Sequence, residues 1–162
     1  MTVGMTAAPT TTITGDYLMT VHAPIAGAPQ RIDDVLTIFH SDRGWVEGPR
    51  IKCMIRSPTG DWAARHAGRD PEGRCAHDHR HRRRSADLRR VWRVISIAPE
   101  DFARMASGET LGAGEMYFII APVFQTAHAE YVWLTRVQAI GKVVALKGGE
   151  GGFVKYEVFA IQ

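Results

Sequence analysis

Short segments in which apolar and polar side chains alternate constrain the fold of this chain more than any other feature. Tyr17, Met19 and Val21, for example, are expected to lie on the opposite face of one strand from the residues between them. Strands are predicted at residues 16–23, 32–40, 45–55 with a break at Gly48-Pro49, 116–121, 131–140, 142–146 and 153–161. Many short strands predict a mainly β fold, an antiparallel barrel or sandwich.

One short helix is expected to interrupt the strands. Pro99 suits a first helical turn, and the two acidic residues after it favour the positive end of a helix. Phe102 and Met105 would share its buried face, and Gly108 would end it. The glycine-rich residues 148–152 predict a hairpin turn.

The length of 162 residues fits one domain with its own core. We expect residues 1–14 to form a flexible tail and residues 15–162 to form a single β-barrel domain. The chain has two cysteines and no secretory leader, which favours a cytoplasmic location. No apolar run is long enough to span a bilayer, so no membrane role is expected.

Residues 63–93 do not follow the strand pattern. They hold 10 of the 20 basic residues and 4 of the 17 acidic ones, so the rest of the chain has 10 basic and 13 acidic residues. They also hold four of the seven histidines, His66, His77, His79 and His81. We therefore expect a poorly structured Arg/His-rich insert that takes the place of barrel strands.

Three interpretations of this insert compete. Cys75 and the three alternating histidines 77, 79 and 81 suggest metal binding, but four alternate residues of one strand do not converge easily on one ion. Its arginines suggest phosphate contacts to a nucleic acid, although no aromatic residues are interleaved with them. These arginines are Arg80, Arg82, Arg83, Arg84, Arg89 and Arg90.

The third interpretation, which we favour, is a shifted reading frame. Codons permitted for residues 75–84, read one nucleotide later, allow the peptide AxMTIATDDG, which has the pattern of a strand followed by a turn. The printed frame lacks that apolar pattern.

The segments on both sides of the insert resemble the DUF3237 family, also called UPF0311. The motifs that carry the resemblance are VEGPR at 46–50, GDW at 60–62, YF at 117–118, PVFQT at 122–126 and YVWLTR at 131–136. The match covers residues 16–62 and 94–162. It implies a lipocalin-like barrel related to allene oxide cyclase, and relatives that act as cofactor-independent cyclases or isomerases.

Two residues depart from the family pattern. Gln125 stands where the family commonly has Glu, and Thr135 stands where it commonly has Asn. An amide cannot act as a general acid or base, so a proton-transfer role at Gln125 is not expected.

Several residues are candidates for a ligand site. As members of one strand, Tyr131, Trp133 and Thr135 would share a face and line the barrel interior, or simply fill the core. Asp61 beside Trp62 is the candidate acid or base, because a carboxylate next to an indole at a barrel mouth would have a raised pKa. The alternative for Asp61 is a turn residue.

The remaining candidates flank these residues. Glu47 and Arg50 would pair across the Gly48-Pro49 bend, or Arg50 would hold an anionic group of the ligand. Tyr117, Phe124 and Gln125 complete the predicted ligand site. We expect His128 to lie in a solvated loop.

The sequence thus predicts a small-molecule-binding barrel in which Asp61 is the catalytic candidate. The alternatives are a non-enzymatic binding protein or inactive product, and nucleic-acid binding through the insert. No cofactor and no metal site are expected. An open barrel edge would favour a homo-oligomer.

Overall fold

The computed structural model describes residues 11–34, 36–56, 59–64 and 87–162; for residues 62, 64 and 87–90 it describes the backbone. The strands of these residues are β1 (Gly15–Pro24), β2 (Gln30–Arg31), β3 (Leu36–Ser41), β4 (Trp45–Gly48), β5 (Ile51–Met54), β6 (Thr59–Ala64), β7 (Asp87–Ser96), β8 (Thr110–Gly112), β9 (Tyr117–Gln125), β10 (Ala139–Lys147) and β11 (Phe153–Ile161). The helices are α1 (Pro99–Ala106) and a 3-10 helix (Val132–Arg136).

The strands form two antiparallel sheets. The larger sheet has the order β5-β4-β1-β11-β10-β9-β7, with β8 paired to β10, and the smaller sheet has the order β2-β3-β6. The predicted mainly β, antiparallel fold with one short helix is confirmed. Within the described residues the larger sheet does not close on itself.

The alternation in the sequence accounts for most of these strands. The strand predicted at 153–161 has the bounds of β11, and those at 16–23 and 142–146 lie within β1 and β10. A bulge between Tyr17 and Met19 leaves Tyr17 on the outer face, so the predicted common face of Tyr17, Met19 and Val21 is wrong. The strand expected at 45–55 is a hairpin of β4 and β5, because the chain turns at Pro49 and Arg50. β9 starts one residue later than predicted and runs on to Gln125.

The strand predicted at 131–140 is wrong for most of its length. Residues 132–136 form the 3-10 helix instead, and β10 begins only at Ala139. Tyr131, Leu134 and Val137 all pack into one core cluster. Their spacing of three is the repeat of a 3-10 helix, so this apolar period prevails over the apparent alternation.

The predicted bounds of the Arg/His-rich insert are also wrong. Its first two residues, 63 and 64, belong to β6, and residues 87–93 belong to β7, which pairs with β9 along its whole length. The metal and nucleic-acid interpretations, and the shifted peptide at 75–84, concern residues or side chains outside those that the structure describes.

Helix α1 packs beside β8 and β10 of the larger sheet. Met105 packs onto the core as predicted, whereas Phe102 is about half exposed, so its predicted burial is wrong. Gly108 follows the helix at φ 95°, a conformation that favours glycine. Arg104 binds three carboxylates around the β8 turn, at 2.8 Å from Asp101, 3.0 Å from Glu109 and 2.8 Å from Glu115.

The core consists of two apolar clusters inside the curved sheet. One contains Met19, Leu134 and Val158 and lies near the 3-10 helix. The other contains Leu111 and Val143 and lies near α1. The candidate site occupies the interior where these clusters meet.

Candidate functional site

An ion pair between the two sheets is the central feature of the site. Asp61 on β6 accepts a hydrogen bond from the Arg93 guanidinium on β7. The Arg93 side chain is 7% exposed and the Asp61 side chain 21%. Arg93 alternates with Val91 and Ile95 along β7 and therefore points to the same apolar interior. The Phe118 ring lies 5.8 Å from the guanidinium carbon.

Burying two charges in this interior carries a desolvation cost that a hydrophobic pair of the same size would avoid. A buried ion pair can often be replaced by apolar residues without loss of stability. The pairing of Asp61 with Arg93 is therefore a reason to look for a function at this point.

Tyr156 on β11 is the third polar group of the interior. It packs against both apolar clusters, since its strand carries it between them. Burial raises the pKa of Tyr156 and the Asp61 carboxylate raises it further, while the Arg93 guanidinium acts in the opposite direction. The phenol therefore remains a neutral hydrogen-bond donor. Its hydroxyl makes no hydrogen bond to another residue that the structure describes.

These three groups can work together on a bound molecule. The Asp61 carboxylate can accept a proton, because a carboxylate is an acceptor and a general base. Arg93 and Tyr156 can stabilise negative charge that develops on an oxygen, since both donate hydrogen bonds in an interior of low dielectric. The arrangement has the elements needed for proton transfer next to a carbonyl or phenolic oxygen.

Aromatic side chains surround the other end of the sheet. Tyr131 is buried and stacks on His128, with ring centroids 5.2 Å apart. The Arg50 guanidinium lies over the Trp133 ring at 4.2 Å from its centroid. Phe124 and Trp133 are half-buried against the same core cluster. This end of the sheet therefore has an apolar wall with one cation on it.

The structure separates several of the predicted site residues. Asp61 faces the interior, and Arg50 and Trp133 are in contact, but the predicted pairing of Glu47 with Arg50 is wrong, because Glu47 binds Lys52 at 3.1 Å. The side chain of Trp62 is outside the described part of the chain. The structure does not bring the other predicted members into the interior with Asp61, since their side chains are exposed: Glu47, Tyr117, Gln125 and Thr135.

Two residues of the observed cluster were missed at the level of sequence. Tyr156 alternates with Val158 and Ala160, and Arg93 alternates with Val91 and Ile95. A polar residue on the apolar face of a strand is the signal that could have identified both. For Arg93 this signal was hidden by the other arginines of the insert.

In the part of the chain that the structure describes, no group of three or more His, Cys, Asp or Glu residues could hold a metal ion. None of the described helices is both long and apolar enough to cross a membrane.

The fold and the interior cluster define an antiparallel, β-barrel-like protein. Residues 92–161 match DUF3237, a family of proteins of unknown function, so the predicted resemblance is confirmed over this part of the chain. No curated protein is significantly similar to the chain.

Solved structures share the fold over almost the whole chain. A conserved protein of unknown function from Rhodopseudomonas palustris is 20% identical with a TM-score of 0.70, and the match covers 95% of this chain and 100% of that one. A β-barrel-like protein from Acinetobacter baumannii AYE is 18% identical with a TM-score of 0.61, covering 96% and 100%. An enzyme from Penicillium herquei is 14% identical with a TM-score of 0.52, covering 97% and 100%. At these identities the similarity concerns the fold alone.

Proposed function

We propose that this protein binds a small, partly apolar molecule in the barrel interior and transfers a proton on it without a cofactor, as an isomerase or cyclase does. The observation that carries the proposal is the Asp61–Arg93 ion pair buried beside the Tyr156 phenol. A buried charge pair next to a neutral donor is costly for stability and useful for chemistry. The enzyme from Penicillium herquei with a similar fold is compatible with a catalytic role.

In the proposed reaction Asp61 is the base. It removes a proton from a carbon next to a carbonyl group, and the carbonyl oxygen takes up the electron pair as an enolate. Arg93 and Tyr156 donate hydrogen bonds to that oxygen. Return of the proton from Asp61 to another atom of the same skeleton completes an isomerisation, with no net change of oxidation state.

The proposal keeps the expected cytoplasmic location. Cys53 is a free thiol, half-buried against the core, and burial raises its pKa. A thiol with these properties is unreactive and is compatible with a reducing compartment.

Binding can be tested with two simple probes, 4-nitrophenol and 4-nitrobenzoate, followed by the change in absorbance on titration. We expect the wild-type protein to bind at least one of them and Tyr156→Phe to bind it about 5-fold more weakly, the value of one hydrogen bond. Tyr17→Phe is the matched control, because the Tyr17 hydroxyl lies on the outer face and bonds to Thr20 at 2.7 Å. Equal affinities for wild type and Tyr156→Phe would contradict the interior site.

Proton transfer can be tested by exchange of deuterium into 2-tetralone, an enolisable ketone with a benzylic α-carbon, in heavy water. We expect Asp61→Asn to slow the catalysed exchange by about 100-fold or more, since general bases contribute at least that factor. Thermal unfolding of the same variant checks that it is folded. Binding of the probes without exchange by the wild type would instead identify a non-enzymatic binding protein.

A further inference from the structure

The outer face of β9 is more apolar than a solvent-exposed strand requires. Its sequence, YFIIAPVFQ, is apolar on both faces, which is typical of strands that are covered on both sides. The inward residues Phe118 and Ile120 are buried, as expected. On the outward face, however, Tyr117 is 57% and Val123 49% exposed. None of the strands and helices that the structure describes covers this face of β9.

The apolar surface continues across five neighbouring strands. Trp92 on β7 lies opposite Ala121 on β9, and Ile140 on β10 lies opposite Phe159 on β11. Continuing the register of β9 and β10 by one residue places Ala121 beside Ile140. Tyr17 on β1 completes the row, with its ring 5.9 Å from that of Phe159. We call these five residues the apolar strip.

A row of charged residues runs beside the apolar strip, at the next outward-facing position of the strands. Lys142 lies opposite Glu157, Glu157 opposite Thr20, and Thr20 opposite Glu47. Lys52 ends the row, bound to Glu47 at 3.1 Å. The row contains two cations and two anions, so its net charge is zero. We call it the charged row.

A two-fold axis between β10 and β11, parallel to the strands, would make this surface complementary to itself. It would bring Lys142 of each copy onto Glu157 of the other, and Ile140 of each copy onto Phe159 of the other. Self-complementarity of one patch is what a symmetric dimer interface requires. A partner of one strong charge would not match a row of zero net charge as well.

The size of the surface fits the centre of a dimer interface. Four strand spacings of about 4.8 Å and six residue rises of about 3.4 Å, from Tyr117 to Val123, give a face of about 20 by 20 Å, which contains the apolar strip and part of the charged row. This is about half of the area that each partner of a stable interface buries, so the surrounding rim would supply the rest. Stable interfaces bury about 800 Å² on each partner, with an apolar centre and a polar rim. The apolar strip would form the centre of such an interface, and the charged row would form part of its rim.

We propose that the outer face of β7, β9, β10, β11 and β1 binds a second copy of this chain. The unsatisfied apolar face of β9, the cross-strand strip and the zero-net-charge row carry the proposal. It does not depend on the proposed function, since every residue of the strip points away from Asp61 and Tyr156.

The mass of the full chain in solution tests the proposal. We expect sedimentation velocity to give twice the mass of one chain, and Ile140→Lys to weaken the association by about 100-fold, because a charge would be buried in the apolar centre. Ile32→Lys is the matched control, since Ile32 is 49% exposed but lies between β2 and β3, outside the proposed interface. A wild-type chain of single mass, or an Ile140→Lys variant that remains dimeric, would overturn the proposal.

Exchanging the charges of residues 157 and 142 distinguishes a specific interface from non-specific association. Glu157→Lys is expected to weaken the dimer by about 10-fold, because it opposes Lys142 of the other copy. Adding Lys142→Glu to this variant is expected to restore the wild-type affinity, since the two charges are again opposite. Circular dichroism verifies that all variants are folded. Failure of the double exchange to restore association would show that the charged row does not take part, against the proposal.

Discussion

At the scale of single residues, the position of Tyr156 is the most informative. Its ring packs between two apolar clusters, and the charges of Asp61 and Arg93 shift the pKa of its hydroxyl in opposite directions. An apolar residue of the same shape would fit the clusters equally well, so packing alone does not require the hydroxyl. The proposed function gives the hydroxyl a role, as a hydrogen-bond donor to the bound molecule.

The raised pKa of Tyr156 predicts how stability depends on pH. The folded protein holds the phenolic proton more tightly than the unfolded chain, whose tyrosines have a pKa of about 10.0. The contribution of the protonated Tyr156 to the free energy of unfolding is complete below pH 10 and is lost as the pH rises above that value. At pH 11 we expect the free energy of unfolding to fall by about 1 kcal/mol more for wild type than for Tyr156→Phe.

Urea unfolding at pH 7, 10 and 11 measures this difference. At pH 7 the two proteins should have similar stability, because the lost hydroxyl has no hydrogen-bond partner among the described residues. Parallel pH profiles for the two proteins would show that Tyr156 does not titrate differently in the folded state.

At the scale of elements, the β4–β5 hairpin depends on a close backbone approach. A Cβ atom at Gly48 would lie 2.0 Å from the Leu18 carbonyl oxygen and 2.9 Å from the Met19 Cα atom. Both neighbours are backbone atoms of β1, so neither can move aside easily. The hairpin brings Arg50 onto Trp133 and therefore links this glycine to the aromatic end of the sheet.

We expect Gly48→Ala to destabilise the protein by about 2 kcal/mol, since the added methyl group forces β4 away from β1. Gly114→Ala is the matched control, because a Cβ atom there meets nothing within 4 Å. It should change stability by less than about 0.5 kcal/mol. The denaturant concentrations at which the two variants are half unfolded test this prediction. Equal midpoints would refute the argument that Gly48 allows a close approach of β4 to β1.

At the scale of the whole molecule, the Asp61–Arg93 pair connects the two sheets. Among the described residues, the smaller sheet also contacts the larger one at the C-terminal end of β3, where Ile25 pairs with Ser41 and the Ala26 amide donates to the His40 carbonyl at 2.7 Å. The ion pair thus sets the position of β6 against β7. A site built on this pair would be sensitive to how the sheets are held together.

Removing one partner should therefore cost more than removing both. We expect Arg93→Met to lower the free energy of unfolding by about 3 kcal/mol, because it leaves a carboxylate in the interior without this guanidinium. The double variant Asp61→Leu with Arg93→Met should recover most of that loss, since an apolar pair has no desolvation cost. If the double variant were the less stable of the two, the ion pair would be a net source of stability and the functional argument would weaken.

Much of the fold could be predicted from the sequence, whereas only part of the candidate site could. The alternation of β11 and the Pro99 start of α1 are local patterns, and the structure has both. The strand prediction failed at residues 131–136, because over this short stretch the apolar side chains fit a spacing of three residues as well as a spacing of two. Asp61 was identified from its neighbours, but its partner Arg93 lies 32 positions away.

The sequence by itself determined many of the extended segments, where α1 begins, and that one face of most strands is apolar, because these properties depend on residues a few positions apart. Only the tertiary structure decided that Asp61, Arg93 and Tyr156 share one interior and that the apolar strip crosses five strands, because strand order and register bring together residues that are distant in the chain. Charge and burial at these points are properties of the assembled sheets, and the proposed ligand site and dimer face both arise from them.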